Sequence, residues 1–396
     1  MTHQEKLERN IHKYSWYKIF TKRIYLPLIT IQLVSVGKVT LEELAIIGIV
    51  SALVQGILQV PSGYFADKIG NRISIILGAL ISAFSPLFYI FMPNFTGGMI
   101  ASVLFFAGFA FQSGAIEAFI HDTLVALRRE DEYTKVMGRA QTYGLIGNVV
   151  LVALVPMTYA IHHTLPFILG FVSLLIMFFL TISFEHPEVK HSTVETKSPI
   201  KALRSVVTLE NSILFIFAGF LSRVTNKIGE FRELLLQDLG VLVSFFGLIM
   251  AAGSLGGAII GWHLHIFDRM RAGTFYLFDL LLIASCLVLM GVTSDIRIVL
   301  PVVIILMAYG RVRSILFQSK ILHGKSHVYK ATLISAMGSF TLFGDIVVIT
   351  TLTYFIVGHG YSRGYELFGL FVFAIGIVLW AFIVGESYFR KIKQRT

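Results

Sequence analysis

Long apolar runs separated by short polar segments dominate the chain. Roughly twelve runs reach about 20 residues, the length at which a helix crosses a hydrocarbon core of about 30 Å. Helices are expected because lipid offers no hydrogen-bond partner to the backbone. The pattern predicts an all-α membrane protein with spans at 14–36, 41–65, 72–92, 98–126, 137–160, 165–184, 208–235, 241–264, 273–292, 298–319, 331–357 and 364–388.

One long polar stretch, residues 185–204, interrupts the apolar runs and predicts a cytoplasmic linker. A weak internal repeat agrees with a division at this point, since an offset of about 200 residues aligns Gly48 with Gly247. We therefore expect two pseudo-symmetric six-helix bundles. The expected domains are an N-terminal bundle, the linker and a C-terminal bundle, at residues 1–184, 185–207 and 208–396.

Composition and charge strengthen the membrane interpretation and orient the chain. The sequence is 56% hydrophobic and only 14% charged, with a mean hydropathy of +0.78, which excludes an ordinary water-soluble domain. Placing the N-terminus inside leaves Lys38, Arg297 and Arg363 as the basic residues of the outer loops. We expect both termini in the cytoplasm and the net charge of +10 facing anionic lipid headgroups, not nucleic acid.

The segment between the second and third apolar runs, PSGYFADKIGNR at 61–72, carries a family resemblance. It resembles the signature loop of the major facilitator superfamily, Gly-x-x-x-Asp-Arg/Lys-x-Gly-x-Arg/Lys. Its glycines permit a tight turn and close helix approach. The resemblance implies a transporter that works by alternating access, with a conformational latch in which Arg72 pairs with a carboxylate on the fourth helix. The latch residues that it implies are Gly63, Asp67, Gly70, Arg72 and Asp122.

A second stretch, SGAIEAFIHD at 113–122, is similar to the bacterial drug:proton antiporters that include macrolide exporters. That resemblance implies efflux across the bacterial cytoplasmic (inner) membrane. The glycine-proline run that many drug antiporters carry in helix 5 is absent, because Gly144, Gly147 and Pro156 do not reproduce it.

Ionisable residues within the apolar runs are concentrated in the first, fourth, seventh and tenth spans. Each costs about 2.5 to 3.5 kcal/mol at the centre of a bilayer, so we expect it to be paired or functional. The resemblance implies that these four helices line a central cavity. The candidate cavity and substrate residues are Lys22, Arg23, Glu117, Arg223, Lys227, Glu230, Arg311 and Arg313. Because the basic groups outnumber the acidic ones, an anionic or amphipathic solute is expected.

Proton coupling requires a carboxylate whose protonation is linked to neighbouring cations. The candidates are Glu117, Glu230 and Asp345, and Glu117 lies at a depth that allows a pair with Lys22 or Arg23. The alternative interpretation is that these charges only fasten helices to one another.

The sequence thus predicts a secondary active transporter, most simply a proton-coupled exporter of a small amphipathic or anionic solute or drug. Two alternatives stay open: an organic-anion uniporter or symporter, and a non-transporting sensor or lipid-handling protein. No catalytic motif is present, and the single cysteine, Cys286, excludes a multi-cysteine metal site, so we expect no enzyme, cofactor or metal. The expected partners of a monomer are the solute, protons and the bilayer.

Overall fold

A computed structural model describes residues 2–187, 209–268, 270–322 and 330–393. Most of the expected linker therefore lies outside the described residues, as do the side chains of Lys227 and Glu230. The chain divides into two compact units, and the first contains Met1–Thr193 and Leu242–Ala251. The second unit contains Val194–Val241 and Ala252–Thr396.

The first unit is built from helices that follow one another closely. In chain order they are α1 (His3–Phe20), α2 (Leu26–Val36), α3 (Leu41–Ile69), α4 (Asn71–Ala83), α5 (Ser85–Phe91), α6 (Phe95–Gln112), α7 (Ala115–Ala126), α8 (Tyr133–Leu154) and α9 (Leu165–Ile182). Helix α2 combines 3-10, α and π turns, and 3-10 turns at Glu130–Glu132 and Val155–Ala160 flank α8.

The described residues of the second unit also form a series of helices. Its helices are α10 (Leu209–Lys227), α11 (Gly229–Asp238), α13 (His265–Asp268), α14 (Ala272–Val292), α15 (Ile296–Leu322), α16 (Lys330–His359) and α17 (Tyr361–Lys393). Helix α12 (Phe246–Trp262), which follows a 3-10 turn at Val243–Phe245, contributes residues to both units.

Among the residues that the structure describes, nine helical stretches are long and apolar enough to cross a membrane. They are Leu41–Ile69, Asn71–Phe91, Phe95–Ala126, Glu130–Ala160, Leu165–Ile182, Val243–Trp262, Ala272–Val292, Ile296–Phe317 and Tyr361–Gly385. Three shorter apolar helices, Leu26–Val36, Ser212–Asn226 and Gly344–His359, fall where spans 1, 7 and 11 are predicted. The all-α, multi-pass membrane fold is confirmed, and the count of twelve spans stays a prediction.

Spans 1, 4 and 7 differ from the expected continuous helices. The first breaks between Phe20 and Leu26, just before Pro27, whose missing N–H and fixed φ suit a helix start. The fourth breaks at Gly114, which has a φ of +78° that a residue with a side chain rarely adopts. The seventh breaks at Ile228, between α10 and α11. Each break places irregular backbone close to candidate charged residues.

The expected signature loop is mostly helical. Residues up to Ile69 continue α3, with Pro61 inside the helix, and α4 begins at Asn71. Gly70 alone makes the turn, with a φ of +110° and a ψ of 141°, a conformation almost confined to glycine. The turn is therefore shorter than the interval of residues 66–71 that the predicted second and third spans leave between them, because one glycine in this conformation separates the two helices.

Helix α1 begins eleven residues before its expected start because its polar end is anchored. Thr2 and Glu5 form a capping box that satisfies the first free backbone N–H groups. Asn10 then exchanges two hydrogen bonds with the backbone of Glu185, at 2.9 and 3.0 Å, just beyond the end of α9. This contact ties the N-terminal segment to the last helix of the first unit.

Two glycines of α8 bring it against α1. A Cβ at Gly144 would lie 2.8 Å from the Cβ of Lys18 and 3.0 Å from its carbonyl oxygen, and one at Gly147 would lie 2.7 Å from the Cγ2 of Ile19. Small residues of this kind let helix backbones approach closely within a bilayer. The α1–α8 contact therefore depends on the absence of side chains at these positions.

We predict that Gly144→Ala lowers the free energy of unfolding by about 1 to 3 kcal/mol, because the new methyl group overlaps the backbone of Lys18. Gly138→Ala is the matched control, since it lies in the same helix and has open space around its Cβ position. The control is expected to be neutral or slightly stabilising, as alanine favours helix more than glycine does. Unfolding in mixed micelles measures both, and equal effects would contradict this packing account.

Candidate functional site

Glu117 occupies the first turn of α7, three residues after the break at Gly114, where a helix favours a carboxylate. Its side chain is exposed within the first unit. The carboxylate interacts electrostatically with Lys18 and Tyr14 of α1 and with Tyr133 of α8. Lys18 lies four residues before Lys22, and the expected pairing of Glu117 with Lys22 or Arg23 stays a prediction.

Arg23 lies in the break between α1 and α2, next to the exposed Lys22. Its guanidinium stacks on two rings of α6, 4.3 Å from the centroid of Phe105 and 5.0 Å from that of Phe106. Such cation–π contacts hold a cation by the negative face of the ring and leave its hydrogen-bonding edge available. Within the described part of the chain, no carboxylate forms an ion pair with Arg23.

The second unit buries a charge pair in its interior. Arg313 of α15 donates from Nε and Nη2 to both carboxylate oxygens of Asp279 on α14, each at 2.7 Å, and the two residues are 2% and 0% exposed. The Tyr309 hydroxyl donates to Asp279 at 2.6 Å, and Nη1 of Arg313 donates to the Ala218 carbonyl at 3.0 Å. The Phe317 ring lies 4.2 Å beneath the guanidinium. Arg313, which we expected to line a cavity, therefore has a dedicated counter-ion.

A second ion pair joins α10 to α16. Nε of Arg223 lies 3.4 Å from Oδ1 of Asp345, and the side chains are 26% and 2% exposed. Gly344 helps the two helices approach, because a Cβ there would lie 3.2 Å from Cγ of Arg223. The pair thus combines a buried carboxylate with a partly accessible cation. Sequence analysis gave these two residues separate roles and did not pair them.

Other charged residues of the second unit lie on α10, α11 and α15, and they include the candidates Lys227, Glu230 and Arg311. Arg232 forms an ion pair with its neighbour Glu233, and both side chains are buried. Arg311 is exposed within its unit and interacts electrostatically with Arg232, which has the same charge. No described carboxylate pairs with Arg311. The side-chain positions of Lys227 and Glu230 lie outside the described residues, so their roles stay predictions.

Arg72 and Asp122, the residues of the predicted latch, each form a hydrogen bond with another residue of the first unit. Asn71 donates its side-chain amide to Oδ2 of Asp122 at 3.3 Å, and Arg72 donates to the carbonyl of Ile182 at 2.9 Å. The left-handed turn at Gly70 makes Asn71 the first residue of α4, one position before Arg72. Arg72 then caps the C-terminal end of α9, where a cation complements the free carbonyl groups.

The other two latch candidates make no close contact with that pair. Asp67 has an exposed side chain in the last turn of α3, and a Cβ at Gly63 would meet nothing within 4 Å. Neither observation assigns them a role in holding α3 against α4.

We predict that Asp279→Asn lowers the free energy of unfolding by about 3 to 5 kcal/mol, because it leaves the buried Arg313 without an anion. Glu366→Gln is the matched control, since its partner Arg363 is 59% exposed and such pairs contribute about 0 to 1 kcal/mol. Equal losses in the two variants, measured by unfolding in mixed micelles, would contradict a specific role for the buried pair.

Comparisons with known proteins place this arrangement in a family. The sequence model described as Major Facilitator Superfamily matches residues 18–324. A Bacillus subtilis (strain 168) protein described as the uncharacterized MFS-type transporter YxaM is 24% identical over 227 residues, or 55% of this chain and 56% of that relative. The chain thus matches little more than half the length of this curated relative.

Solved structures share the fold over nearly the whole chain. A mutant of the nucleoside transporter NupG superimposes with a TM-score of 0.80 at 12% identity, over 96% of this chain and 99% of that one. An inward-facing, unoccupied bacterial homologue of the human lysosomal transporter Spinster gives 0.72 at 14% identity, over 97% and 96%. The family resemblance found in the sequence is confirmed. Because the family model covers more than half of the sequence, the chain belongs to the Major Facilitator Superfamily, a family of membrane transporters and not of enzymes.

Proposed function

We propose that the protein is a secondary active transporter that exchanges a small amphipathic or anionic solute for protons by alternating access. The observation that carries the coupling is the Arg223–Asp345 pair, in which a buried carboxylate holds a partly exposed cation. A buried charge is stable only while it is paired, so a change at one partner is transmitted to the other.

The coupling step follows from that dependence. While Asp345 is ionised it attracts Arg223, and a hydrogen-bond donor group of an amphipathic solute can bind the same carboxylate. A proton on Asp345 removes the charge that attracts this donor group and weakens the pair with Arg223. Proton and solute therefore compete for one carboxylate, as an exchange of solute for protons requires.

In the first unit, Glu117 is the second proton carrier that we propose, with Lys18 as the cation that responds to it. Glu230 stays a third candidate from the sequence. Arg23 and Arg311 are the best supported solute-binding cations, because neither forms an ion pair with a described carboxylate. Lys22 and Lys227 keep the roles predicted from sequence. Arg313 is reassigned to holding α14, α15 and α10 together, as its hydrogen bonds to Asp279 and Ala218 and its stacking on Phe317 favour.

Alternating access in this proposal consists of two six-helix halves that rock about a central basic cavity, with both termini in the cytoplasm of a bacterial cell. The Arg72–Asp122 latch stays part of the proposal, and the hydrogen bond from Asn71 to Asp122 supports a role of this turn in holding α4 against α7. The likenesses to NupG and to a peptide transporter of the POT family, at 12% identity each, support the transporter fold alone. The proposal of drug export rests on the resemblance of residues 113–122 to drug:proton antiporters. The proposal of an organic anion as solute rests on the excess of basic over acidic residues among the candidate cavity residues.

The test uses purified protein in liposomes with an imposed pH gradient. Solutes are first chosen from aromatic carboxylates, nucleosides and macrolides by their stabilisation of the protein against heat. For a stabilising solute, Asp345→Asn is expected to abolish accumulation driven by the gradient and to keep solute–solute exchange. Glu366→Gln, which removes an exposed carboxylate of the same unit, is expected to behave like the wild type.

Three outcomes decide between the hypotheses. If gradient-driven accumulation survives in Asp345→Asn, Asp345 is not the proton carrier. Loss of that accumulation in Glu117→Gln would then assign proton coupling to Glu117. Exchange without any response to the gradient in the wild type favours the organic-anion uniporter. Stabilisation by a solute with no flux in any assay favours a sensor or lipid-handling protein on this fold.

A further inference from the structure

A groove of about 500 Å³ runs along the contact between α1 and α8, entirely within the first unit. Its residues include Ile11, His12, Trp16, Ile19, Arg139 and Tyr143. Protein pockets that take drug-sized ligands have volumes of about 300 to 1,000 Å³ and apolar walls with few polar groups. The groove has that size and that composition.

The packing of the two helices explains why the groove ends where it does. At Gly144 and Gly147 the backbones are in close contact with Lys18 and Ile19, which closes the groove at that end. Toward the start of both helices, a smaller recess of about 180 Å³ continues from His12 and Arg139. The groove is therefore closed at its apolar end and open at its charged end.

The charged residues that line the open end are two acids, Glu8 and Glu132, and three cations, Arg129, Lys135 and Arg139. Glu132 accepts two hydrogen bonds from Arg129, at 2.9 and 2.8 Å, and Glu8 lies 3.8 Å from the same guanidinium. The two acids of the recess are thus matched in number by Arg129 and by Lys135, which interacts electrostatically with Glu132, and Arg139 is the cation in excess. No carboxylate among the described side chains pairs with Arg139, and the neighbouring His12 adds a second group that can donate to an anion.

The walls beside Arg139 are aromatic. Trp16 is 57% exposed and stacks against Phe20 at a centroid distance of 6.3 Å, which fixes the indole plane. Tyr143, one helical turn after Arg139 on α8, is 48% exposed. Two open rings next to an unpaired guanidinium match a ligand that is itself flat and carries one negative charge.

From this geometry we propose that the α1–α8 groove is a binding site for a planar aromatic anion. The carboxylate or similar group of the ligand contacts Arg139, and its ring lies between Trp16 and Tyr143. The site goes beyond the proposed function, because it requires neither a pH gradient nor Asp345 and its occupancy is measured at equilibrium.

The experiment uses the full chain in nanodiscs of phosphatidylcholine, with 4-nitrobenzoate as the probe. The chain has three tryptophans, so Trp262→Phe with Trp380→Phe leaves Trp16 as the sole tryptophan, which is excited selectively at the red edge of its absorption band. We expect saturable quenching of Trp16 by 4-nitrobenzoate and an apparent Kd about tenfold higher for the neutral 4-nitrobenzamide.

Arg139→Gln is expected to raise the Kd for 4-nitrobenzoate about tenfold and to leave that for 4-nitrobenzamide unchanged, because only the anion uses the guanidinium. Lys68→Gln, which removes an exposed cation of α3 that does not line the groove, should bind like the wild type. Tyr143→Leu provides an independent variant if Arg139→Gln does not fold, and it should weaken binding of both probes.

Quenching that rises without saturation, or that is unchanged in both Arg139→Gln and Tyr143→Leu, would overturn the proposal by showing that the probe only dissolves in the bilayer. Loss of saturable quenching when the nanodiscs contain phosphatidylglycerol would also overturn it, since a lipid headgroup would then be the ligand of Arg139. If quenching is saturable and depends on Arg139 but gradient-driven transport fails, the binding site in the groove is supported and only the transport mechanism is rejected.

Discussion

The high free-energy cost of an unpaired charge away from water governs the interior of this protein. Arg313 and Asp279 meet that constraint well, because all three guanidinium nitrogens and both carboxylate oxygens form hydrogen bonds and both side chains are buried. Arg223 and Asp345 meet it only in part, since the cation keeps some exposure. That difference in exposure is the basis on which we propose different roles for the two arginines.

Interruptions of the helices determine where the other charges go. Gly114 ends α6 and starts α7, so that Glu117 lies in a first turn whose free N–H groups favour an anion. The break after Phe20 releases Arg23 from the line of α1 and lets it stack on α6. Irregular backbone is costly in lipid because its N–H and C=O groups lack partners there, and it persists where protein or water forms hydrogen bonds with those groups. These breaks are therefore structural evidence that the nearby charges face protein or water.

The first unit also illustrates how glycine shapes a site without contributing a side chain. Gly144 and Gly147 bring α8 against α1 over one turn, and the neighbouring turns leave space lined by Trp16, Arg139 and Tyr143. Gly70 acts through its φ instead, and by shortening the turn between α3 and α4 it makes Asn71 the first residue of α4, where its side chain donates to Asp122. In both cases a backbone property selects which side chains meet.

The sequence by itself determined the membrane class, the helical fold, the family and the set of helices that carry charge, because apolar length and the cost of buried charge are properties of the chain alone. Tertiary structure decided the partners. Asp279 and Arg313 are 34 residues apart and Arg223 and Asp345 are 122 apart, and no periodicity along one helix states which residue of another helix will face it. Pairing depends on helix rotation and on close approach at glycines such as Gly344, and both emerge only when the helices pack.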